Sequence, residues 1–274
     1  MDREISVNID TPEQTLTPVK GRHHFKLAAY RILPWLIPVL LVILWQLAVT
    51  SKLIDSSFVP APSAVIAQGV SLWQSGELQK NICISLYRAT VGFLIGGSLG
   101  FVLGFINGVS KFARAALDST VQMLRNIPHL ALIPVAILVL GIGESAKISL
   151  VAIGCLFPMY INTYHGITSV DKGLVEMGRS YGLSSWVLLR KVILPGAMPS
   201  ILMGVRYALG VMWTTLIVAE TVSADSGIGY MSTNAQQFMN MKTIFLCIII
   251  YALLGKLSDT IAKNFETLYL EWRR

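Results

Sequence analysis

Four side chains in this sequence are of types that could act on a small ion. His129, His165, Arg206 and Glu220 each interrupt an apolar run, and an ionisable group at membrane depth is costly unless it faces a bundle interior or a wet cavity. Arg206 beside a passage would hold an anion through charge-assisted hydrogen bonds; packing between helices is an equally good use for it. The two histidines fit a hydrogen-bonded core position as readily as a contact with a ligand. Arg206 and Glu220 are fourteen residues apart, about 21 Å along a helix, so they cannot pair within one helix. Arg88 lies near the end of its apolar run, where a long side chain can snorkel to water. Covalent chemistry has no foothold. Gly255-Lys256 is followed by Leu257 and lacks the earlier glycine of a phosphate loop, and neither H-E-x-x-H nor G-x-S-x-G occurs. Cys83, Cys155 and Cys247 are far apart, without metal-ligand spacing, and read as inert buried thiols. No cofactor or metal is expected, and the chain is not expected to be an enzyme.

The elements that must position these residues are set by composition. Of 274 residues, 54% are AVILMFWYC and 14% are charged, with a mean hydropathy of +0.62; soluble domains carry about 25% charge. That excludes a disordered chain, a nucleic-acid-binding domain and an ordinary soluble enzyme. The expectation is an all-α polytopic membrane protein, since a spanning helix needs about 20 mostly apolar residues. Six runs qualify, at about 33–50, 84–108, 117–140, 148–167, 201–222 and 244–262. The third is broken by Asp118, Arg125, Asn126, Pro128, His129 and Pro134, so it should face a helix interface or a pathway. Residues 1–31 read as a flexible cytoplasmic lead before a retained first helix in a domain spanning 32–272; a cleaved signal sequence is the alternative. Net charge is +7, and its distribution is one-sided. With Arg125 counted with the second connection and Lys256 with the tail, sixteen of the 22 Lys and Arg fall in the two termini and the second and fourth connections, against four in the other connections, which predicts both termini in the cytoplasm. The first outer connection should hold a short helix capped by Ser63 and closed by Gly76.

The fourth connection, residues 171–195, is basic and reads as helix, turn, helix. A first helix should run from Leu174 to Tyr181, with Gly182 in a left-handed turn, Ser184 capping a second helix and Pro195 ending it. Trp186, Leu188 and Leu189 are too apolar for a solvated linker. A docking surface and a segment lying on the bilayer both fit.

The spacing of Glu176, Gly182 and Val192-Ile193-Leu194-Pro195 resembles the EAA signature of ABC importer permeases, Glu-Ala-Ala, three residues, Gly, nine residues, Ile-x-Leu-Pro. Met177 and Gly178 replace the alanines and Val192 the isoleucine. The likeness covers about Leu33 to Trp272 and narrows to the nitrate, sulfonate and taurine permease group, carried by residues 124–134, 141–148, 160–167 and 217–230. Within that group it is most similar to permeases for aliphatic sulfonates. The resemblance implies a type I ABC importer permease fold in a bacterial inner membrane. It also implies a homodimer, two ABC ATPase subunits docked on Glu176, Met177, Gly178, Gly182, Trp186, Val192, Leu194 and Pro195, and a periplasmic or lipid-anchored binding protein. Taurine, nitrate or another small anion is the alternative cargo. An ion-coupled secondary transporter is the alternative class, for which Glu220 offers the one intramembrane carboxylate.

Overall fold

The structure is a computed structural model that describes residues 23–269, with side chains from Leu36 onward. The chain divides at Ile54. Among the described residues the first unit holds one helix, α1 (His23–Thr50), whose side chains from Leu36 are mainly exposed Leu, Ile and Val. Most of the expected 1–31 lead lies outside the described residues, but from His23 the chain is helical, ten residues before the apolar run. Helical hydrogen bonding does not stop where hydropathy does.

The second unit begins with α2 (Pro62–Gln74), α3 (Glu77–Val109) and α4 (Lys111–Arg125). After a 3-10 turn at His129–Leu132 come α5 (Ile133–Leu140), α6 (Glu144–Thr168), α7 (Lys172–Ser180) and α8 (Ser185–Leu188). A π-helical turn at Leu189–Ile193 leads into α9 (Leu194–Ser223), followed by α10 (Ile228–Gln237) and α11 (Met241–Tyr269). Four helical stretches are long and apolar enough to cross a membrane, and α4 to α5, taken as one bent span, makes a fifth. With the shorter apolar stretch Leu36–Thr50 the count is compatible with six.

A ridge of glycines sets the packing of α3. Gly92, Gly96, Gly100, Gly104 and Gly108 recur every fourth residue and so share one face. A Cβ on Gly96 would strike the Ala152 carbonyl of α6, and one on Gly100 the Leu156 carbonyl. In lipid no hydrophobic force draws two helices together, so close backbone approach and dispersion must do it. Contacts pair 92 with 151, 100 with 156 and 104 with 160, so α3 and α6 run parallel. The chain between them must therefore return the full length of the bundle, and α4 with α5 makes that return.

The single third span expected at 117–140 is instead a bent pair, turned by 82°. Pro128 sits at the break with extended backbone; it lacks an N–H and pushes its predecessor out of the helical region. Two further expectations are corrected. α2 starts two residues earlier, with Ala61 at the cap position and Pro62 in the first turn, and Ser63 does not cap it. Pro195 does not end a helix, because Ser185–Ser223 is continuous. The wider π turn before Pro195 relieves the lost hydrogen bond and the ring clash that proline brings to a regular α-helix.

α9 runs antiparallel to α6, with Thr215 near Gly154 and Ala197 near Gly166. α11 is antiparallel to α9, joined by Trp213 to Ser258 at 2.9 Å and by Tyr251 to Glu220 at 3.1 Å. The main core lies where these helices meet, around Val151, Cys155, Met212, Trp213 and Leu216.

Candidate functional site

The segment after α6 is a compact helical hairpin. Asp171 opens α7 by accepting the Gly173 N–H at 2.8 Å. Gly182, at φ +77°, closes it. The Leu183 N–H reaches the Gly178 carbonyl at 3.1 Å and the Gly182 N–H the Arg179 carbonyl at 2.9 Å, the paired bonds of a Schellman ending. Ser184 then accepts the Val187 N–H at 3.4 Å to start α8. Gly178 is buried against Leu188, whose Cδ1 would lie 2.6 Å from a Cβ placed there. The alanine of the family signature would require the end of the Leu188 side chain to shift.

The hairpin presents an apolar patch to solvent: Leu174, Met177, Tyr181 and Trp186 are all exposed, the last two at 80% and 68%. Glu176 is exposed beside them, in none of the ion pairs among the described residues. Val192, Leu194 and Pro195 are half-buried, and Leu194 packs against the core cluster formed by Met159, Ile167, Ala197 and Ile201. The hairpin is thus anchored on α6 and α9 while its tip stays free.

The polar residues inside the apolar runs fall in different places. Arg206 donates through Nε to Asp259 Oδ1 at 2.5 Å, with the two side chains 43% and 34% exposed. The pair borders an open cavity of about 550 Å³ with Met203, Tyr207 and Thr214. His129 Nε2 lies 3.0 Å from Thr215 Oγ1, tying the turn after α4 to α9. His165 is exposed at the end of α6, edge-on to Tyr164, and so is not a core histidine. Cys83 is also exposed, whereas Cys155 and Cys247 are buried.

Glu220 is wholly buried, and so is Arg88, which does not snorkel. The Arg88 guanidinium donates to Glu144 at 2.6 and 2.7 Å, to Glu220 at 2.8 Å, and to the Ser226 carbonyl at 2.6 Å. Glu220 also accepts from Ser85 at 2.8 Å, the Gly229 N–H at 2.9 Å and Tyr251 at 3.1 Å. Every acceptor position of this carboxylate is filled by protein, which offsets the cost of burying it. The network joins α3, α6, α9, α10 and α11 at the end of the second unit opposite the hairpin.

Residues 96–269 match the family model described as binding-protein-dependent transport system inner membrane component. The chain is 55% identical over 242 residues to SsuC of Escherichia coli (strain K12), described as an aliphatic sulfonates transport permease protein, covering 88% of this chain and 92% of that one. The chain belongs to the binding-protein-dependent transport system inner membrane component family. The SsuC protein of Bacillus subtilis (strain 168) is 41% identical, covering 87% and 86% of the two chains. The taurine transport system permease protein TauC of Escherichia coli (strain K12) is 30% identical, covering 85% and 86%. The fold is similar to that of an amino acid ABC transporter of known structure, with a TM-score of 0.60 at 18% identity, covering 73% of this chain and 95% of that chain.

Membership makes this permease an inner-membrane subunit of an ABC importer, with a separate binding protein and a separate ATPase as partners. Its buried charge network was missed by reading residues one at a time. A signal existed: Arg88 is near the start of the second apolar run and Glu220 near the end of the fifth, and alternating spans bring those two ends to one side. Glu144, Ser226 and Tyr251 fall at the same side by the same alternation, but nothing in the linear pattern says that they meet Arg88 or Glu220.

Proposed function

We propose that this permease is the membrane subunit of an ATP-driven importer of aliphatic sulfonates. The observation that carries the reading is 55% identity along 92% of a protein described as an aliphatic sulfonates transport permease. In this reading two copies enclose the pathway, and two ATPase subunits dock on the hairpin tips at Glu176, Met177, Gly182 and Trp186. The hairpin lies in the cytoplasm with both chain termini. Lys111, Arg114, Lys172, Arg179, Arg190 and Lys191 all gather at the hairpin end of the bundle, which supports that orientation.

The geometry also supplies a mechanism. α8, the π turn and α9 form one uninterrupted helical body of 39 residues, so a push on Trp186 is carried along α9. At its far end Glu220 is knotted to Arg88 on α3 and Tyr251 on α11, so the outer end moves with the inner one. Arg206, Tyr207 and Thr214 lie on the open side of that same helix. An ion pair more than a third exposed at membrane depth is poorly suited to lipid, which favours the pathway for this face. Glu220 serves as a structural acceptor, and its full set of donors argues against use as an ion-coupling carboxylate.

The test is uptake in proteoliposomes holding the permease, its ATPase and its binding protein. Alkanesulfonate uptake should require ATP and loaded binding protein. Uptake driven by an ion gradient without ATP, or stimulation by taurine or nitrate and not by alkanesulfonates, would overturn the reading.

A further inference from the structure

Beside the Arg206 face lies a second cavity of about 520 Å³, lined by both polar and apolar residues. This volume falls in the range of about 300–1,000 Å³ common to small-molecule sites. Its lining combines the polar Arg125, Asn126 and Tyr207 with the apolar Phe157, Pro158, Ile161 and Met203. Asn162 also borders it, but its Nδ2 is engaged with the Pro158 carbonyl at 2.8 Å.

Arg125 is the decisive residue. It ends α4 immediately before the 82° bend, and it is exposed. Arg88 and Arg206 are both neutralised by carboxylates, but Arg125 is in none of the ion pairs among the described residues. Its depth follows from its neighbours. Phe157 is thirteen residues from the Glu144 end of α6 and Asn162 six from the Thr168 end, about 20 Å and about 9 Å along the helix axis. The cavity therefore sits within the span. A guanidinium at that depth without an acidic partner calls for an anion or water, and Tyr207, 66% exposed, adds a hydroxyl donor to the lining of the same cavity. Met203 and Tyr207 also border the Arg206 cavity, so the two spaces adjoin along α9.

We propose that this cavity is a transit site for an alkanesulfonate: Arg125, Asn126 and Tyr207 take the sulfonate head group, and Phe157, Pro158, Ile161 and Met203 take the aliphatic tail. The inference rests on the importer reading above and adds to it a selectivity element inside the permease, distinct from the binding protein. Arg125 lines the cavity from the end of α4, immediately before the bend, and can form two parallel hydrogen bonds to a sulfonate.

The experiment uses the whole importer in proteoliposomes, with ethanesulfonate and octanesulfonate as labelled probes. Arg125→Met should lower uptake of both at least tenfold, while ATPase subunit still co-purifies and loaded binding protein still stimulates hydrolysis. Arg125→Lys should recover part of the uptake. Met203→Trp enlarges an apolar lining residue, so octanesulfonate uptake should fall at least fivefold more than ethanesulfonate uptake. Should Arg125→Met fail to assemble, the chain-length split in Met203→Trp decides alone. Wild-type rates in Arg125→Met, or an equal loss of both probes in Met203→Trp, would overturn the transit site. A wild-type complex that moves neither sulfonate would instead overturn the importer reading on which it rests.

Discussion

The Arg88–Glu220 and Arg206–Asp259 pairs of the second unit differ in burial, and that difference predicts very different costs of breaking them. Glu220 and Arg88 are both fully buried, whereas Arg206 and Asp259 are 43% and 34% exposed. Removing one partner of a buried pair costs about 3–5 kcal/mol because the other charge is left uncompensated. Glu220→Ala also strips acceptors from Ser85, the Gly229 N–H and Tyr251, while Arg88 keeps Glu144. These effects oppose one another, so the same range holds for the variant. At roughly 2–4 °C per kcal/mol for a chain of this size, the melting temperature should fall by about 6–20 °C. Arg206→Met breaks a pair worth about 0–1 kcal/mol and should lower it by no more than about 4 °C. Thermal denaturation of the purified complex in detergent, followed by loss of the monodisperse peak, measures both. A Glu220→Ala complex as stable as wild type, or an Arg206→Met complex equally damaged, would show that the network is not what ties the helices together.

Three further outcomes are expected. Gly182 has a φ of +77° and open space around it, so Gly182→Val is penalised through backbone strain of about 1–2 kcal/mol and should weaken ATPase co-purification or its stimulation by loaded binding protein. Gly182→Asn, which tolerates that conformation, should behave as wild type; equal behaviour of all three would reduce the hairpin to a connector. Gly96→Leu drives a side chain into the Ala152 carbonyl and should abolish folded permease on size-exclusion chromatography, whereas Gly255→Leu, with nothing within 4 Å, should not. In a Cys83→Ser background, a membrane-impermeant thiol reagent should label Val70→Cys from outside and Ser185→Cys from inside only; outside labelling at 185 would invert the proposed topology.

Membrane class, helix content and the hairpin were legible along the chain because each depends on local composition or short-range spacing. Leu174, Gly182, Ser184 and Trp186 lie within thirteen residues, and a helix ending in a left-handed glycine needs only its neighbours to form. Family membership likewise rests on linear pattern. What tertiary structure alone decided is which charges meet. Arg88, Glu144 and Glu220 come from three helices, and their pairing depends on α3 lying parallel to α6, which in turn depends on glycines whose partners are distant backbone carbonyls. The same parallel packing makes the third apolar run a return path and places its Pro128 break at a bend, with Arg125 at a cavity wall. Hydropathy records how costly a charge is in a membrane; only the fold supplies the partner that makes it tolerable.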